Sequence, residues 1–376
     1  MVDHVAAGTP FAAARVTPNL SERFLMPSGF IWGAFNTSDG AVLRWGHLPV
    51  AAARAHCVLV GGFGDFIEKQ FETIRDLAAC GLSIWCLDWR GQGGSTRPKR
   101  WPNRPRARQF DRDAAELAEF AAAKLPGGGP RLLLAHSMGG TIGLLCLHRD
   151  PGLFDAAILS APMLGILNGK APPVLLRALT APARLAGLGL CRLPGSRRWK
   201  PALPPTPDRS LISSDAERCR LRHAWVTANP ELGLHQPTYG WLDPALALMA
   251  RVGRPGFLAG VSTPILLGSP GREYVVAQSA HRRAAQHLPD CTLVELPQSK
   301  HEAFLECNPI RDAWLARINR FISERVERGT GEVPASGIER IQIGARRSSP
   351  ATRLAFRPGH PRMLLRRLRS PAEPGD

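Results

Sequence analysis

Short apolar runs alternate with amphipathic helical spacing over two stretches of this chain, and that alternation restricts the fold more than any other feature. HCVLV (56–60), LSIWCLD (82–88), RLLLA (131–135) and DAAILS (155–160) are apolar runs of strand length. Between them lie FIEKQFETIRDLAACG (66–81), DAAELAEFAAAKL (113–125) and MGGTIGLLCLHRD (138–150), which carry helical spacing. In the first of these, Phe71, Ile74 and Leu77 share a face and Gly81 supplies a stop. Strands alternating with helices imply βαβ units around a buried parallel sheet. The alternation fails after Pro162. It resumes with TPILLGS (263–269), YVVAQSAHRRAAQHL (274–288), CTLVELP (291–297) and IRDAWLARINRFISERV (310–326). The expected class is α/β, a mostly parallel, doubly wound sheet interrupted by one helical insertion.

These breaks divide the 376 residues into an N-terminal extension (1–40), a first core part (41–161), a helical insertion (162–255), a second core part (256–328) and a basic tail (329–376) expected to be disordered. The insertion contains a proline-dense basic stretch, RLPGSRRWKPALPPTPDR (192–209). Within the tail, RMLLRRLRS (362–370) fits either a solvated basic segment or a short amphipathic helix lying on anionic lipid.

Lys and Arg total 48 against 31 Asp and Glu, a formal charge of +17. Such a charge suits nucleic acid, anionic head groups or acidic substrates, and it also suits a plain arginine-rich composition. No helix-turn-helix, zinc finger or aromatic RNA-binding signature is present, so nucleic acid is not expected as a partner. The eight cysteines form no C-x-x-C pair or Cys/His cluster, which argues against a metal. Cys57, Cys86 and Cys146 fall in apolar runs, as small core residues do in a reducing compartment. The glycines of DWRGQGGS (88–95) lack a phosphate-loop pattern, and no cofactor is expected. The sequence shows no signal peptide and no membrane-spanning run, so the expected location is cytoplasmic, at most peripheral at the inner face of a membrane.

The chemistry concentrates at RLLLAHSMGGT (131–141), a strand running into a helix with Ser137 at the turn. A nucleophile elbow reads G-x-S-x-G, and Ala135 stands at its first glycine. A methyl is the smallest addition there, while Gly139 and Gly140 keep the helix side open. The other reading of Ser137 is an ordinary helix N-cap. A serine needs a base and the base an orienting acid, in the chain order Ser, acid, His for such a sheet. His301, in QSKHEAFLE after the last strand, has the best position of the eleven histidines. His136 adjoins the serine, but neighbours on such a turn point apart. In GSPGREYVV the one carboxylate at the required offset is Glu273, either the orienting acid or a solvated loop carboxylate. In VGGFGDF (60–66), Gly61 and Gly62 permit close backbone approach, making the N–H of Phe63 a candidate oxyanion donor beside that of Met138.

Taken together, GGFGDFIEKQFETIRDLAACG, LDWRGQGGS, LAHSMGG, PTYGWL and KHEAFLE resemble bacterial lysophospholipases of the α/β-hydrolase superfamily, close to monoacylglycerol lipases. The resemblance covers roughly residues 30 to 326. It implies an α/β-hydrolase fold whose helical cap is inserted after the sixth strand, where the regular pattern fails here. It also implies an elbow reading His-Ser-Met-Gly-Gly, often preceded by alanine. Two features depart from the family: Glu273 replaces its usual aspartate, and the loop TRPKRWPNRPRARQFDR (96–112) holds seven basic residues and one acid. The implied activity is serine-dependent cleavage of acyl esters. A lysophospholipase releasing a fatty acid from a lipid-like ester through an acyl-enzyme is the leading expectation. A monoacylglycerol lipase, a general carboxylesterase and a catalytically silent binding protein are the alternatives. The basic loop would hold a phosphate, dock on anionic membrane, or simply be solvated.

Overall fold

A computed structural model of the chain describes residues 13–105, 109–167, 173–194, 204–327 and 337–341. In chain order its strands and α-helices are β1 (Ile31–Asn36), β2 (Val42–Leu48), β3 (Ala55–Val60), α1 (Phe71–Ala79), β4 (Leu82–Leu87), α2 (Phe110–Lys124), β5 (Arg131–His136), α3 (Met138–Arg149) and β6 (Ala156–Ser160). There follow α4 (Pro173–Leu185), α5 (Leu221–Ala228), α6 (Tyr239–Val252), α7 (Pro255–Ala259), β7 (Ile265–Pro270), α8 (Gln278–His287), β8 (Cys291–Leu296), α9 (Asn308–Ile322) and β9 (Gly337–Arg340). Among the described residues the strands form one sheet in the order β1-β2-β4-β3-β5-β6-β7-β8-β9. β1, β2 and β4 pair antiparallel, and every other pairing is parallel.

The apolar runs are buried on both faces because alternate side chains enter different layers. Val58, Val60, Leu133 and Leu159 pack with α2, α3 and α8, whereas Cys57, Leu59, Leu134 and Ile158 pack with α1 and α9. The chain passes from β3 to β4 on one side and returns to β5 on the other, so the loops after β3 and β5 diverge. A crevice at the carboxyl ends of those strands follows from this reversal of strand order. Burial pushes the thiols of Cys57, Cys146 and Cys291 up to about 12, which leaves them neutral core groups.

Three strands escaped the periodicity. β1 lies within the stretch assigned to the N-terminal extension, β2 was not recognised, and β9 lies in the segment expected to be a disordered tail. In β2 the apolar pattern is broken by Arg44, which is 1% exposed yet folded inward between Glu68 (Nη1–Oε1 2.6 Å) and Asp88 (Nε–Oδ2 2.7 Å). β1 carries Gly33 beneath the Trp45 ring, where a Cβ would collide at 2.1 Å. β9 is four residues long and joins the sheet edge beside β8, with Glu339 accepting from Arg317 (Nε–Oε2 2.6 Å). The segment 362–370 lies outside the described residues.

The insertion between β6 and β7 carries α4 to α7. Among the described residues, no helix is long and apolar enough to cross a membrane. The basic loop after β4 is fastened to this insertion. His235 N–H donates to Asn103 O (2.8 Å), Thr238 Oγ1 to Pro105 O (2.9 Å), and Asn103 Nδ2 to Pro230 O (3.1 Å). Arg97 adds bonds to the carbonyls of Gly233 (2.9 Å) and Leu232 (3.1 Å).

Candidate active site

β5 ends at His136 and α3 begins at Met138, leaving Ser137 alone to make the turn at φ 52°, ψ −117°. This conformation is strained for any residue with a Cβ, and neighbouring bonds impose it. The Ser137 N–H donates to Ser160 O (3.0 Å), and its carbonyl accepts from Gly140 (3.0 Å) and Met163 (2.9 Å). Ser137 holds the N-cap position of α3, but its side chain makes no capping bond. The hydroxyl lies 3.0 Å from His301 Nε2.

The missing first glycine of the elbow is explained by its surroundings. Ala135 pairs with Val60 and Leu159 inside the sheet. Its methyl lies 3.7 Å from where a Cβ on Gly143 would stand, so the helix supplies the space that the strand does not. The tightest contact is at Gly139, where a Cβ would sit 2.5 Å from the carbonyl oxygen of Gly61. Gly139→Ala must therefore push the loop after β3 off the serine. Turnover of a p-nitrophenyl acyl ester is expected to fall about a hundredfold, the usual cost of misplacing reacting groups by about 1 Å. Wild-type kinetics from the purified variant would show that the spacing is unimportant.

His301 leaves the loop after β8 and Glu273 the loop after β7, and the structure brings both to Ser137. His301 Nδ1–H donates to Glu273 Oε2 at 2.7 Å, so Nε2 is free to accept from the serine hydroxyl. The Glu273 side chain is 1% exposed, unlike a solvated loop carboxylate. Its extra methylene is taken up by curling over the chain that follows it. Oε1 accepts from the N–H groups of Tyr274 (2.8 Å) and Val275 (2.7 Å). Burial alone would raise its pKa, but the His301 hydrogen bond and charge together with the backbone donors hold it below the ordinary value. His136 turns away, with Nδ1 3.1 Å from Ser160 O. Burial, helped by the nearby His301, pushes it down to about 3 and keeps it neutral.

The loop after β3 is held from behind. The Gly62 carbonyl accepts from Gln92 Nε2 (3.3 Å) and Asp65 N–H (3.4 Å). In the trans peptide that follows, the Phe63 N–H points away from that carbonyl. A Cβ on Gly62 would stand 3.0 Å from Ser137 Cβ, so the loop runs directly over the serine. Neither Phe63 N–H nor Met138 N–H donates to any acceptor among the described residues. Asp65 Oδ2 accepts from Gly62 N–H (2.7 Å), and Asp65 Oδ1 is ion-paired with Lys69 Nζ. Lys69 also pairs with Glu302 (2.7 Å), the neighbour of His301. Asp65, Lys69, Glu302 and Gln92 were not identified from the sequence. The signal was the i,i+4 pair Asp65 and Lys69, which with Glu68 puts three charges among the aromatic and apolar residues of GFGDFIEKQF. Among the described residues, no group of three or more His, Cys, Asp or Glu side chains is arranged to hold a metal ion.

Residues 51–308 match the sequence model of a family described as serine aminopeptidase, S33. Lysophospholipase L2 of Escherichia coli K12 is 32% identical over 235 residues, which cover 60% of this chain and 66% of that protein, just under two thirds of its length. A probable lysophospholipase L2 of Haemophilus influenzae is 26% identical over 321 residues, covering 83% of this chain and 96% of that protein. A soluble variant of monoglyceride lipase from Saccharomyces cerevisiae, solved with a substrate analogue, superposes with a TM-score of 0.61 at 17% identity. That match covers 78% of this chain and 96% of the yeast one. The fold is the α/β-hydrolase fold.

Proposed function

The chain belongs to the serine aminopeptidase S33 family of α/β-hydrolases, and we propose that it is a carboxylic ester hydrolase acting as a lysophospholipase. Ser137 Oγ attacks the acyl carbonyl while His301 Nε2 takes its proton. The imidazolium is held and stabilised by Glu273, and the N–H groups of Phe63 and Met138 bind the oxyanion. His301 returns the proton to the departing glycerol oxygen, leaving an acyl-enzyme that water cleaves by the same steps. The observation that carries this reading is the continuous contact from Ser137 Oγ to His301 Nε2 (3.0 Å) and from His301 Nδ1 to Glu273 (2.7 Å). A catalytically silent fold has no need of a strained serine in line with a buried imidazole and carboxylate. The lysophospholipid in place of other esters is supported by the relatives from E. coli and H. influenzae.

The enzyme meets its substrate at an anionic membrane surface. Helix α4 carries Val174, Leu179 and Leu185, which are 80%, 64% and 76% exposed, and the chain's +17 charge complements acidic head groups. The test is fatty-acid release from lysophosphatidylglycerol and from a monoacylglycerol of the same chain. Release is expected from both, faster from the lysophospholipid. No release from either by folded protein would end the hydrolase reading, and a preference for monoacylglycerol would move the substrate assignment.

A further inference from the structure

A cavity of about 380 Å³ lies between the basic loop, the start of α2 and the insertion. This volume falls within the range of small-molecule sites. Its wall includes Phe63 and Gln92, the residue proposed as oxyanion donor and the residue that fixes its peptide. Four arginines and one acid, Asp113, also face it.

The four arginines are not equivalent. Arg90 pairs with Asp39 (2.5 Å) and Glu116, and Arg112 reaches the same Asp39 at 3.3 Å. Arg97 and Arg104 meet no carboxylate among the described residues. Arg97 directs its N–H groups at backbone carbonyls, including those of Gly93 (3.1 Å) and Gly233 (2.9 Å). Burial pushes it down to about 10, against a partial offset from the Asp88 and Glu231 carboxylates at longer range, so its charge is desolvated without a direct ion pair. Arg104 lies over the Trp101 ring (4.7 Å to its centroid) and donates from Nη1 to Leu190 O (3.3 Å). Its Nε and Nη2 have no acceptor among the described residues, so one edge of a guanidinium fork is open.

We infer that this cavity is an anion subsite in which Arg104, backed by the charge of Arg97, receives the phosphate of the substrate's head group. An open guanidinium edge matches two phosphate oxygens, and a desolvated positive wall favours a phosphodiester over a neutral glycerol. The position fits as well. Phe63 itself lines the cavity, so an ester whose carbonyl sits at the Phe63 N–H has this cavity next to its reacting end. The inference rests on the lysophospholipase reading and adds to it the residues that distinguish phosphate-bearing esters from neutral ones.

The experiment compares wild type with Arg104→Gln and Arg104→Lys. Selectivity is read as kcat/KM for lysophosphatidylglycerol divided by kcat/KM for a monoacylglycerol of the same chain. It is expected to fall about tenfold in Arg104→Gln, mainly through KM, with partial recovery in Arg104→Lys. Binding of sn-glycerol 3-phosphate and of inorganic phosphate is titrated in parallel by calorimetry, an arm that reads the subsite even if no ester is cleaved. Unchanged selectivity overturns the inference. So does glycerol phosphate that binds wild type and Arg104→Gln alike, or not at all. Inorganic phosphate binding without any change in selectivity would mark a free-anion site and overturn the head-group assignment. Failure of the hydrolase reading looks different: no wild-type release from either ester, with glycerol phosphate binding still dependent on Arg104.

Discussion

Ser137→Ala is expected to lower fatty-acid release about a million-fold, the scale of removing the nucleophile from a triad that works as a unit. A residual rate above that of water, about a thousandfold, would remain from the oxyanion donors and substrate binding. The variant should fold, because alanine loses no capping bond at this position: the serine side chain makes none. Both residues bear the same strained φ of 52°. The check is release of labelled fatty acid, paired with intact mass after a fluorophosphonate. Wild type should gain one adduct and the variant none. A variant that keeps even one hundredth of the activity would place the nucleophile elsewhere.

The second large effect falls on a residue that touches no substrate. Lys69 is 2% exposed and lies between Asp65 and Glu302. Lys69→Met leaves two buried carboxylates facing each other without their cation. About 3–5 kcal/mol of stability should be lost at neutral pH, the cost of breaking a buried pair from one side. Urea denaturation followed by tryptophan fluorescence would measure it. The pH dependence separates this cause from simple loss of packing. In the wild type, burial would raise Asp65, but the Lys69 charge wins and holds it at about 2, below the ordinary 3.8. Its stabilising contribution is therefore complete above about pH 4 and disappears as pH falls through the folded value. Glu302 is already raised by burial and by the Asp65 charge, despite Lys69. Without Lys69 that rise grows and Asp65 shifts upward too, so the added penalty is full at neutral pH and relieved on acidification. The stability gap between wild type and Lys69→Met should narrow from pH 7 to pH 4. A constant gap would show that volume, not charge, is what Lys69 supplies.

What could be read from the sequence followed from whether a feature repeats. The parallel strands β3 to β8 announced themselves because each is apolar on both faces, and Ser137 and His301 because each stands where a strand stops and a loop begins. Glu273 was reachable because chain order left one carboxylate at that offset, although its fit depends on backbone donors that no pattern displays. β2 was hidden by Arg44, whose partners Glu68 and Asp88 lie 24 and 44 residues away. A buried arginine in a strand looks polar until its acids are known. Glu302 was passed over for the same reason: its partner Lys69 is 233 residues distant. One-dimensional periodicity carries no record of such pairings.

The bonds from Asn103, Pro105 and Arg97 to residues 230–238 mean that a stretch interrupting the core in sequence is, mechanically, a piece of the lid. The two segments must then drift through evolution as one module. An engineered chimera that borrows residues 162–264 from a relative while retaining the native 91–105 loop would graft half a joint. The catalytic floor would be inherited intact, and the roof would arrive without its hinge pin.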